Sequence, residues 1–351
     1  MYKDFDFNII DLPRDTTQYQ IAKAVTFRKS ATKIHSSKKD TPYNNYGGNR
    51  QNIEKMMRMI YWADKGKKLI QVDQSGADAL IVAYLCKSGK LRELFINGIK
   101  PHIYNALIIV PDKWRHKFKP AYIDAALAEP IGGLKHLSFW KDLSELIKSS
   151  DDWSSNERYY YFGKKVGHAF NYGMRGNRFR VVLLKESGGE VVLSKEEAES
   201  FINALGMTYP EVLYWHAKLY EEAITKHKLR NLFGWPLEIT WHVSSHDMKD
   251  LYAWIPQSTV AGITTKATVL MQEYIEQHDK NWDLLAETHD SNLCQAPIDE
   301  VEECIAVQRG FMEQQLVAPD GTNFKMKSGV SVGLNWGPYK KDKNPDGLVE
   351  I

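Results

Sequence analysis

The pattern of hydrophobic and polar positions predicts a few short strands and many helices, and no internal repeat is present. Residues 68–73 (KLIQVD) are a short apolar run that ends in an acid, which is typical of a strand. Residues 76–97 follow and predict one or two helices. Residues 284–297 predict a strand, a turn and a second strand, with Asp290 in the turn.

The middle of the chain is predicted to be mostly helical. Residues 111–155 are punctuated by Pro and Gly and predict short helices, and a longer helix is expected over residues 156–179. A capping box at Ser194 begins the two helices predicted for residues 194–228. A long helix is expected from Gln257 to about His278.

Two polar segments interrupt or end this pattern. Residues 30–52 contain Gly, Ser, Asn and Pro and predict a long, mostly irregular loop. Residues 338–351 are polar, contain Pro and Gly, and predict a frayed tail. The elements between these segments indicate a mixed protein that contains both helices and strands.

Composition narrows the class of protein. With 351 residues, 43% hydrophobic and 26% charged, the chain is an ordinary globular protein, and its formal charge of +2 excludes nucleic-acid binding by bulk charge alone. Cys86, Cys294 and Cys304 form neither a disulfide framework nor a zinc site, which fits a reducing compartment. No apolar run is long enough for a membrane span, so we expect no membrane partner and a cytoplasmic location, in the host cytoplasm if the protein is viral. The aromatic content of 12% serves the core, base stacking or both.

Two acids stand at strand ends in distant segments. Asp73 ends the first strand, and Asp290 lies in the turn of the second hairpin. Such carboxylates are a usual way to hold two divalent metal ions for phosphoryl transfer, and Mg²⁺ prefers carboxylate ligands. The alternative is two unrelated surface acids, and spacing alone favours that alternative.

Lys164, His168 and Tyr172 recur every four residues and share one face of a helix. Such a face could meet a triphosphate through Lys and a base through Tyr. The alternative is a solvated Lys above a half-buried aromatic stripe. Residues 113–119 also interleave basic and aromatic side chains, which suits either a nucleic-acid backbone or a solvated loop.

Four amide side chains could contact base edges or sugars. Asn49, Gln51 and Asn52 lie in the polar loop, and Gln257 follows Pro256 at a predicted helix start. The commoner use of such amides is turn formation and helix capping.

Taken together and in order, these segments resemble family A DNA polymerases, the bacterial DNA polymerase I family, and its phage members in particular. VDQSGADALIVAYL resembles the first acidic motif with Asp73, KKVGHAFNYGM resembles the fingers helix with Lys164, and ETHDSNL resembles the last acidic motif with Asp290. Three further segments match in order: GGNRQNI (47–53), IPQSTVAG (255–262) and GLNWG (333–337). Six motifs in the right order make the assignment of the two acids specific.

The resemblance implies an α+β fold, in which a palm of antiparallel sheet with helices is joined to helical fingers. It implies an N-terminal segment and first palm part over residues 1–110, fingers over 111–243 with an enlarged insertion at about 111–155, the rest of the palm over 244–337, and a tail over 338–351. The family's helical thumb and 3′–5′ exonuclease are not expected within the chain. We therefore expect either a second polypeptide that supplies them or a minimal enzyme.

The resemblance also implies an activity and its residues. The reaction is the template-directed addition of dNTPs to the 3′-hydroxyl of a primer on DNA, in phage replication. Two Mg²⁺ ions, with Mn²⁺ as an alternative, are expected on Asp73, Asp290 and the backbone carbonyl of Gln74. The implied nucleotide-binding residues are Ser75, Gly76, Asp78, Lys164, His168 and Tyr172. The implied DNA-binding residues are Asn49, Gln51, Asn52, Gly173, Lys249, Gln257 and His289.

Two substitutions near the acids depart from the family pattern. Asp78 stands where the family has a Glu that crowds the sugar 2′ position, so weaker exclusion of ribonucleotides is expected. Ser291 replaces the acid that usually follows the second metal-binding Asp, and the sequence suggests that this acid is dispensable.

Arginine positions also differ from the family. The Arg expected one turn before Lys164 is Tyr160, with Arg158 or Lys165 as substitutes. Lys33 or Lys38 could replace the minor-groove Arg. These losses leave two alternatives open. One is a non-catalytic DNA-binding or scaffolding subunit, and the other is a polymerase or primase that uses ribonucleotides.

Overall fold

The computed structural model describes residues 53–152, 157–244 and 247–351, apart from the side chain of Met56, and the backbone of two strands before them. Residues 33, 38, 49, 51 and 52, to which DNA contacts are assigned on the sequence, lie outside the described residues. In the described residues no helix is both long enough and apolar enough to cross a membrane.

Residues 77–226 are mostly helical and most strands lie on either side of them, as the sequence pattern indicates. The α-helices are α1 (Ala77–Leu85), α2 (Lys90–Ile96), α3 (Pro101–Ile109), α4 (Pro111–Lys117), α5 (Pro120–Ala128), α6 (Trp140–Lys148), α7 (Tyr159–Asn171), α8 (Gly176–Glu186), α9 (Lys195–Thr208), α10 (Pro210–Lys226), α11 (Met248–Gln277) and α12 (Val301–Met312). The strands are β1 (Gln18–Gln20), β2 (Ser30–Thr32), β3 (Lys67–Gln74), β4 (Asp151–Asp152), β5 (Glu157–Arg158), β6 (Lys228–Arg230), β7 (Pro236–Glu238), β8 (Asp283–Thr288), β9 (Ser291–Pro297), β10 (Gln315–Val317), β11 (Asn323–Lys325), β12 (Ser328–Gly333) and β13 (Val349–Glu350). Short 3₁₀ helices cover Lys55–Ile60, Ile131–His136 and Ile298–Glu300.

The chain forms two compact units. The sheet unit comprises the residues up to Ala77, Gln257–Leu316 and Asn323–Ile351. The helical unit comprises Asp78–Pro256 and Val317–Thr322. The four-part division expected from the family resemblance remains a prediction. Its bounds are those of the family's palm and fingers, whereas the two units are defined by which residues pack together.

The sheet unit is built on an antiparallel sheet in the order β13-β12-β3-β9-β8. Successive side chains of a strand point to opposite faces. Ile70 and Val72 of β3 therefore pack under α11 and α12, in one core with Met271 and Cys304. The alternate positions of β3 face the other way, where Leu69 packs against a small second cluster and Asp73 is exposed. We call this second side the open face of the sheet.

The C-terminal residues do not form the frayed tail that their polarity suggests. Strand β13 pairs with β12, with Ser331 opposite Glu350 and Val332 opposite Val349. The backbone N–H of Ile351 donates to the carbonyl of Val330 at 3.0 Å. Backbone pairing on an existing sheet edge does not require apolar side chains, so composition alone could not indicate it.

Long helices differ from their predicted bounds at two places. Helix α11 begins at Met248 and holds Pro256 in its interior, so Gln257 does not open a helix. The proline removes one helical hydrogen bond, and the burial of Leu251 and Trp254 at 2% and 0% exposure outweighs that loss. The helix predicted over residues 156–179 is two helices, α7 and α8.

The predicted helix pair of residues 194–228 and the short helices of residues 111–155 are confirmed. At the start of α9, the Ser194 side chain accepts from the Glu197 N–H at 3.0 Å, and Glu197 accepts from the Ser194 N–H at 2.8 Å. The capping box is therefore confirmed in both its hydrogen bonds.

Helix α7 is positioned by close packing on α3 in the helical unit. A Cβ on Gly163 would lie 2.3 Å from the carbonyl oxygen of His102, so only glycine allows this approach. The buried Asn105 side chain donates to the carbonyl of Gly163 at 3.1 Å and accepts from the Tyr209 hydroxyl at 2.7 Å. The face of α7 that carries Gly163 is therefore held inward, and the opposite face is turned to solvent.

Arg92 caps the C-terminal end of α1, the helix whose first turn contains Asp78. Its guanidinium donates to the carbonyls of Ala83 at 3.2 Å and Tyr84 at 3.1 Å, and also to the carbonyl of Cys86. It pairs with Asp320 at 2.7 Å. These carbonyls belong to the last turn, where no helical N–H is available to them.

We expect Arg92→Met to lower the free energy of unfolding by about 3 kcal/mol, because three buried acceptors lose their donor. Urea denaturation measures this change, and Arg178→Met on the exposed side of α8 is the control, expected to stay within about 0.5 kcal/mol.

Hydrogen bonding to Arg92 lowers the pKa of Asp320 from 3.8 to about 2. The wild type should therefore keep this contribution above pH 3.8 and lose it as the pH falls through about 2, whereas Arg92→Met should lack the part that comes from Arg92 and keep the part that comes from Thr322. A change below about 1 kcal/mol in Arg92→Met would contradict the capping role.

Candidate active site

Asp73 and Asp290 are brought together by strand register. Asp73 lies opposite Ser291 across β3 and β9, and the backbone N–H of Gln74 donates to the carbonyl of Asp290 at 2.9 Å. Asp290 lies in the turn between β8 and β9, as predicted, after His289 with its left-handed φ of 51°. The two acids, 217 residues apart in sequence, thus become neighbours at one end of the sheet.

A polar cavity of about 440 Å³ opens at these acids on the open face. Its lining includes Asp73, Ser75, His289, Asp290 and Glu350. Among the predicted site residues that the structure describes in the sheet unit, Gln74, Gly76 and Gln257 do not line it. Gln74 instead supports the turn, since its buried amide donates to the hydroxyl of Thr264 at 3.2 Å, and that hydroxyl lies 3.2 Å from the carbonyl of His289.

Two basic residues of the Lys55–Ile60 helix, Lys55 and Arg58, line the same cavity and were missed by sequence analysis. The Arg58 guanidinium lies 4.5 Å from the centre of the Trp336 ring. The Trp336 indole N–H in turn donates to Gln71 at 2.9 Å. Burial lowers the pKa of Arg58, and the Asp73 carboxylate raises it in part. The sequence signal that could have indicated them is the presence of two basic residues three positions apart, shortly before the strand that carries Asp73.

The exposed face of α7 is positively charged. Lys164 and His168 are both exposed, four residues apart. The pKa of His102 is lowered to about 4, first by burial and then by the neighbouring Lys164, Lys100 and His168. His102 of α3 is therefore neutral at pH 7, and Lys164 supplies positive charge to the exposed face of α7. Such a face suits an anionic ligand.

Tyr172 and Asp78 are joined directly within the helical unit. The Tyr172 hydroxyl donates to the Asp78 carboxylate at 2.6 Å. Tyr172 caps the end of α7, is 7% exposed and lies edge-on to the His168 ring at 4.6 Å between centres. The face predicted for Lys164, His168 and Tyr172 is thus formed, but its phenol is buried and hydrogen-bonded.

Comparison with known proteins places this geometry in a family. Residues 143–338 match the sequence model of the family described as DNA polymerase family A, which is more than half of the chain. The chain belongs to DNA polymerase family A. The resemblance inferred from its motifs is therefore confirmed.

A relative and a solved structure extend the likeness of this family A chain. A thermostable DNA polymerase I of Thermus filiformis is 22% identical over 299 residues, which are 84% of this chain and 30% of that protein. The fold is similar to the POL domain of Pol1 from M. smegmatis in complex with DNA primer-template and dNTP, with a TM-score of 0.64 and 17% identity over 91% of this chain and 47% of that chain. The predicted α+β polymerase fold is confirmed. The chain spans less than half of each of these two proteins.

The other residues expected to bind in a family A member belong to the helical unit, and several of them are engaged there. Lys249 is exposed at the start of α11, and Gly173 follows α7 and faces the Tyr252 ring. Arg158 is 2% exposed and pairs with Glu190 at 3.3 Å, while Lys165 pairs with Glu186 at 2.5 Å. Neither cation is therefore a good substitute for the Arg that the family has near Lys164.

The basic-aromatic stretch of residues 113–119 is largely structural in this family A chain. Trp114 is fully buried and donates to the carbonyl of Ala106 at 2.7 Å, so it does not stack on a base. Arg115 pairs with Asp112 and Asp124, and Lys117 pairs with Glu157. The solvated, internally paired alternative is thus favoured over nucleic-acid binding.

Proposed function

We propose that this chain is the catalytic core of a template-directed DNA polymerase, which adds dNTPs to the 3′-hydroxyl of a primer. The observation that carries the proposal is the acid pair, in which β3 and β9 place Asp73 beside Asp290 at a polar cavity. Membership of DNA polymerase family A supports the reaction class. The phage origin implied by the motifs belongs to the same proposal.

The acid pair fits a site for Mg²⁺, with Mn²⁺ as an alternative. In the described residues no three His, Cys, Asp or Glu side chains enclose a metal ion by themselves. Mg²⁺ does not require such an enclosure, because it keeps several waters and binds one or two carboxylates together with substrate phosphates. Asp73, Asp290 and the backbone carbonyl of Gln74 would hold the ions. Bound there, they would neutralise charge on the reacting phosphate and activate the attacking hydroxyl.

Residues of this chain would do the rest of the work. Lys164 and His168, on the positive face of α7, would bind the triphosphate and offset its charge. Ser75 and Gly76, two and three residues after Asp73, would bind the nucleotide, and Ser75 lines the cavity at the acid pair. Tyr172, which donates a hydrogen bond to Asp78, would cover the templating position.

The DNA contacts are proposed from the family pattern. His289 would meet the primer end, since it lies beside Asp290 in the cavity lining. The remaining proposed DNA contacts are Asn49, Gln51, Asn52, Gly173, Lys249 and Gln257. We add Lys55 and Arg58 as contacts to an anionic ligand, because Trp336 holds Arg58 in place at the cavity.

We further propose that a thumb and a 3′–5′ exonuclease reach this polymerase core from another polypeptide. The support is the formal charge of +2, which provides little bulk attraction to hold a primer-template. The affinity of the chain for primer-template at a stated salt concentration tests this proposal. Tight, processive binding by the chain alone would contradict it.

Sugar selection provides one prediction. We expect Asp78→Glu to increase the preference for dNTPs over rNTPs by about tenfold, because the added methylene moves the carboxylate toward the sugar 2′ position. The measurement is the ratio of kcat/KM values for the two nucleotide classes in primer extension. Tyr172→Phe is the matched variant: it removes the hydrogen bond at 2.6 Å without changing the acid, and it should lower the preference. Equal ribonucleotide exclusion by wild type and Asp78→Glu would contradict the prediction.

Primer extension with Mg²⁺, with dNTPs and rNTPs compared and Asp290→Ala as the inactive control, tests the proposed function. Extension with dNTPs that is lost in Asp290→Ala supports it. No extension under any condition would favour a non-catalytic DNA-binding or scaffolding subunit. A preference for rNTPs would favour a primase or another ribonucleotide-using polymerase.

A further inference from the structure

A third carboxylate stands on the open face next to the acid pair. Glu350 comes from β13, two strands away from Asp73, and lines the same cavity. Its register explains the position. Asp73 lies opposite Gly329 across β3 and β12, and Ser331, two residues further on, lies opposite Glu350. Directly paired residues and residues two apart share one face of a sheet, so Glu350 is on the face of Asp73.

Gly329 opens the space between these two acids. A Cβ built on Gly329 would lie 3.7 Å from the Glu350 carboxylate oxygen and 4.0 Å from the Ser75 hydroxyl. The carboxylate therefore lies over the backbone of Gly329, which is the residue directly opposite Asp73. Side chains in directly paired positions have Cβ atoms about 5 Å apart. Glu350 thus reaches across β12 toward the acid pair, and a larger residue at position 329 would crowd it.

Glu350 determines the sign of the net charge around the cavity. Lys55 and Arg58 line the cavity together with Asp73, Asp290 and Glu350. Without Glu350, the negative charges of Asp73 and Asp290 would be balanced by the positive charges of the two basic side chains. A cavity with no net charge attracts a divalent cation poorly. With Glu350, the fixed charge is negative. Ser291, which stands where the family usually has a further acid, contributes no charge.

We propose that Glu350, carried by the C-terminal strand, is an outer carboxylate of the metal site that acts without ligating the ion, in place of the acid absent at Ser291. The inference rests on the proposed polymerase function and adds a residue to that site. Because the three acids do not converge into an enclosed cluster, Glu350 acts on the waters of the hydrated ion and through its charge. Mg²⁺ retains such waters in protein sites. Anchoring of Ile351 to Val330 keeps the carboxylate at this position.

Binding of Mn²⁺ to the full chain, followed by the EPR signal of the free ion, tests the inference without relying on activity. We expect Glu350→Gln to weaken Mn²⁺ binding about tenfold, and Asp73→Asn and Asp290→Asn to weaken it more. Glu302→Gln, an exposed glutamate of α12 outside the cavity lining, is the matched control and should bind as wild type. The Mg²⁺ concentration for half-maximal primer extension should rise by a similar factor in Glu350→Gln. Thermal melting should be unchanged, because Glu350 is exposed.

The outcomes separate this inference from the proposed function. Weaker binding in both aspartate variants together with wild-type binding in Glu350→Gln would overturn the role of Glu350 and leave the polymerase proposal intact. Wild-type binding in the aspartate variants would contradict both. Equal weakening in Glu350→Gln and Glu302→Gln would show a general charge effect, and it would also overturn the specific role.

Discussion

Asp73→Asn is expected to reduce primer extension by a factor on the order of 10³ or more, with the same result for Asp290→Asn. Each change removes a negative charge where the chain is proposed to hold its divalent ions, while the amide keeps the size of the side chain. Asp73 is exposed, so folding should be unaffected. Single-turnover incorporation at saturating dNTP measures the loss.

The matched control for the aspartate variants is Asp342→Asn. Asp342 is an exposed acid of the same sheet unit, outside the cavity lining, and its variant should retain wild-type activity. Circular dichroism of each variant checks that the fold is retained. Activity within about tenfold of wild type in both Asp73→Asn and Asp290→Asn would contradict the proposed catalytic role of the pair.

Lys164→Met is expected to lower kcat/KM for dNTPs by about 10²–10³, since one fixed charge that stabilises the triphosphate is removed. Lys164 is exposed on α7, whereas the neighbouring Gly163 is buried against α3. The methionine keeps the length of the side chain and its helix propensity. The dependence of single-nucleotide incorporation on dNTP concentration measures the change.

The adjacent Lys165 offers a closely matched control for this prediction. Lys165 is on the same helix, but its ammonium already pairs with Glu186 at 2.5 Å. Lys165→Met removes the same charge one position away and should change kcat/KM less than threefold, as expected for a paired surface lysine. Similar losses in both variants would indicate a general effect of helix charge and would contradict a specific role for Lys164.

Local pattern was sufficient for much of the fold. The hairpin that carries Asp290 was predicted because strand length and turn position depend on neighbouring residues. The capping box at Ser194 was predicted for the same reason, since both of its hydrogen bonds join residues three apart. The motif order also indicated family A, and the match over residues 143–338 confirms it.

Local pattern misled where a residue's surroundings come from elsewhere in the chain. Trp114 lies in a basic-aromatic stretch that suits nucleic acid, yet it is fully buried under contacts from α3 and α7. The end of the chain is polar, yet β13 pairs with a preformed sheet edge. In both cases the residue packs against a side chain distant in sequence or pairs with backbone atoms. The composition of the segment therefore cannot predict the contact.

The sequence by itself determined which residue types the site contains: two acids at strand ends, a lysine on a helix, and an acid one methylene shorter than usual at position 78. Only the tertiary structure decided which of them meet and what joins them. It paired Tyr172 with Asp78, placed Arg58 over Trp336, and brought Glu350 to the face of Asp73. The physical reason is that helix packing and strand register bring together residues that are far apart in sequence. A one-residue change of register in β12 or β13 would move Glu350 to the other face of the sheet.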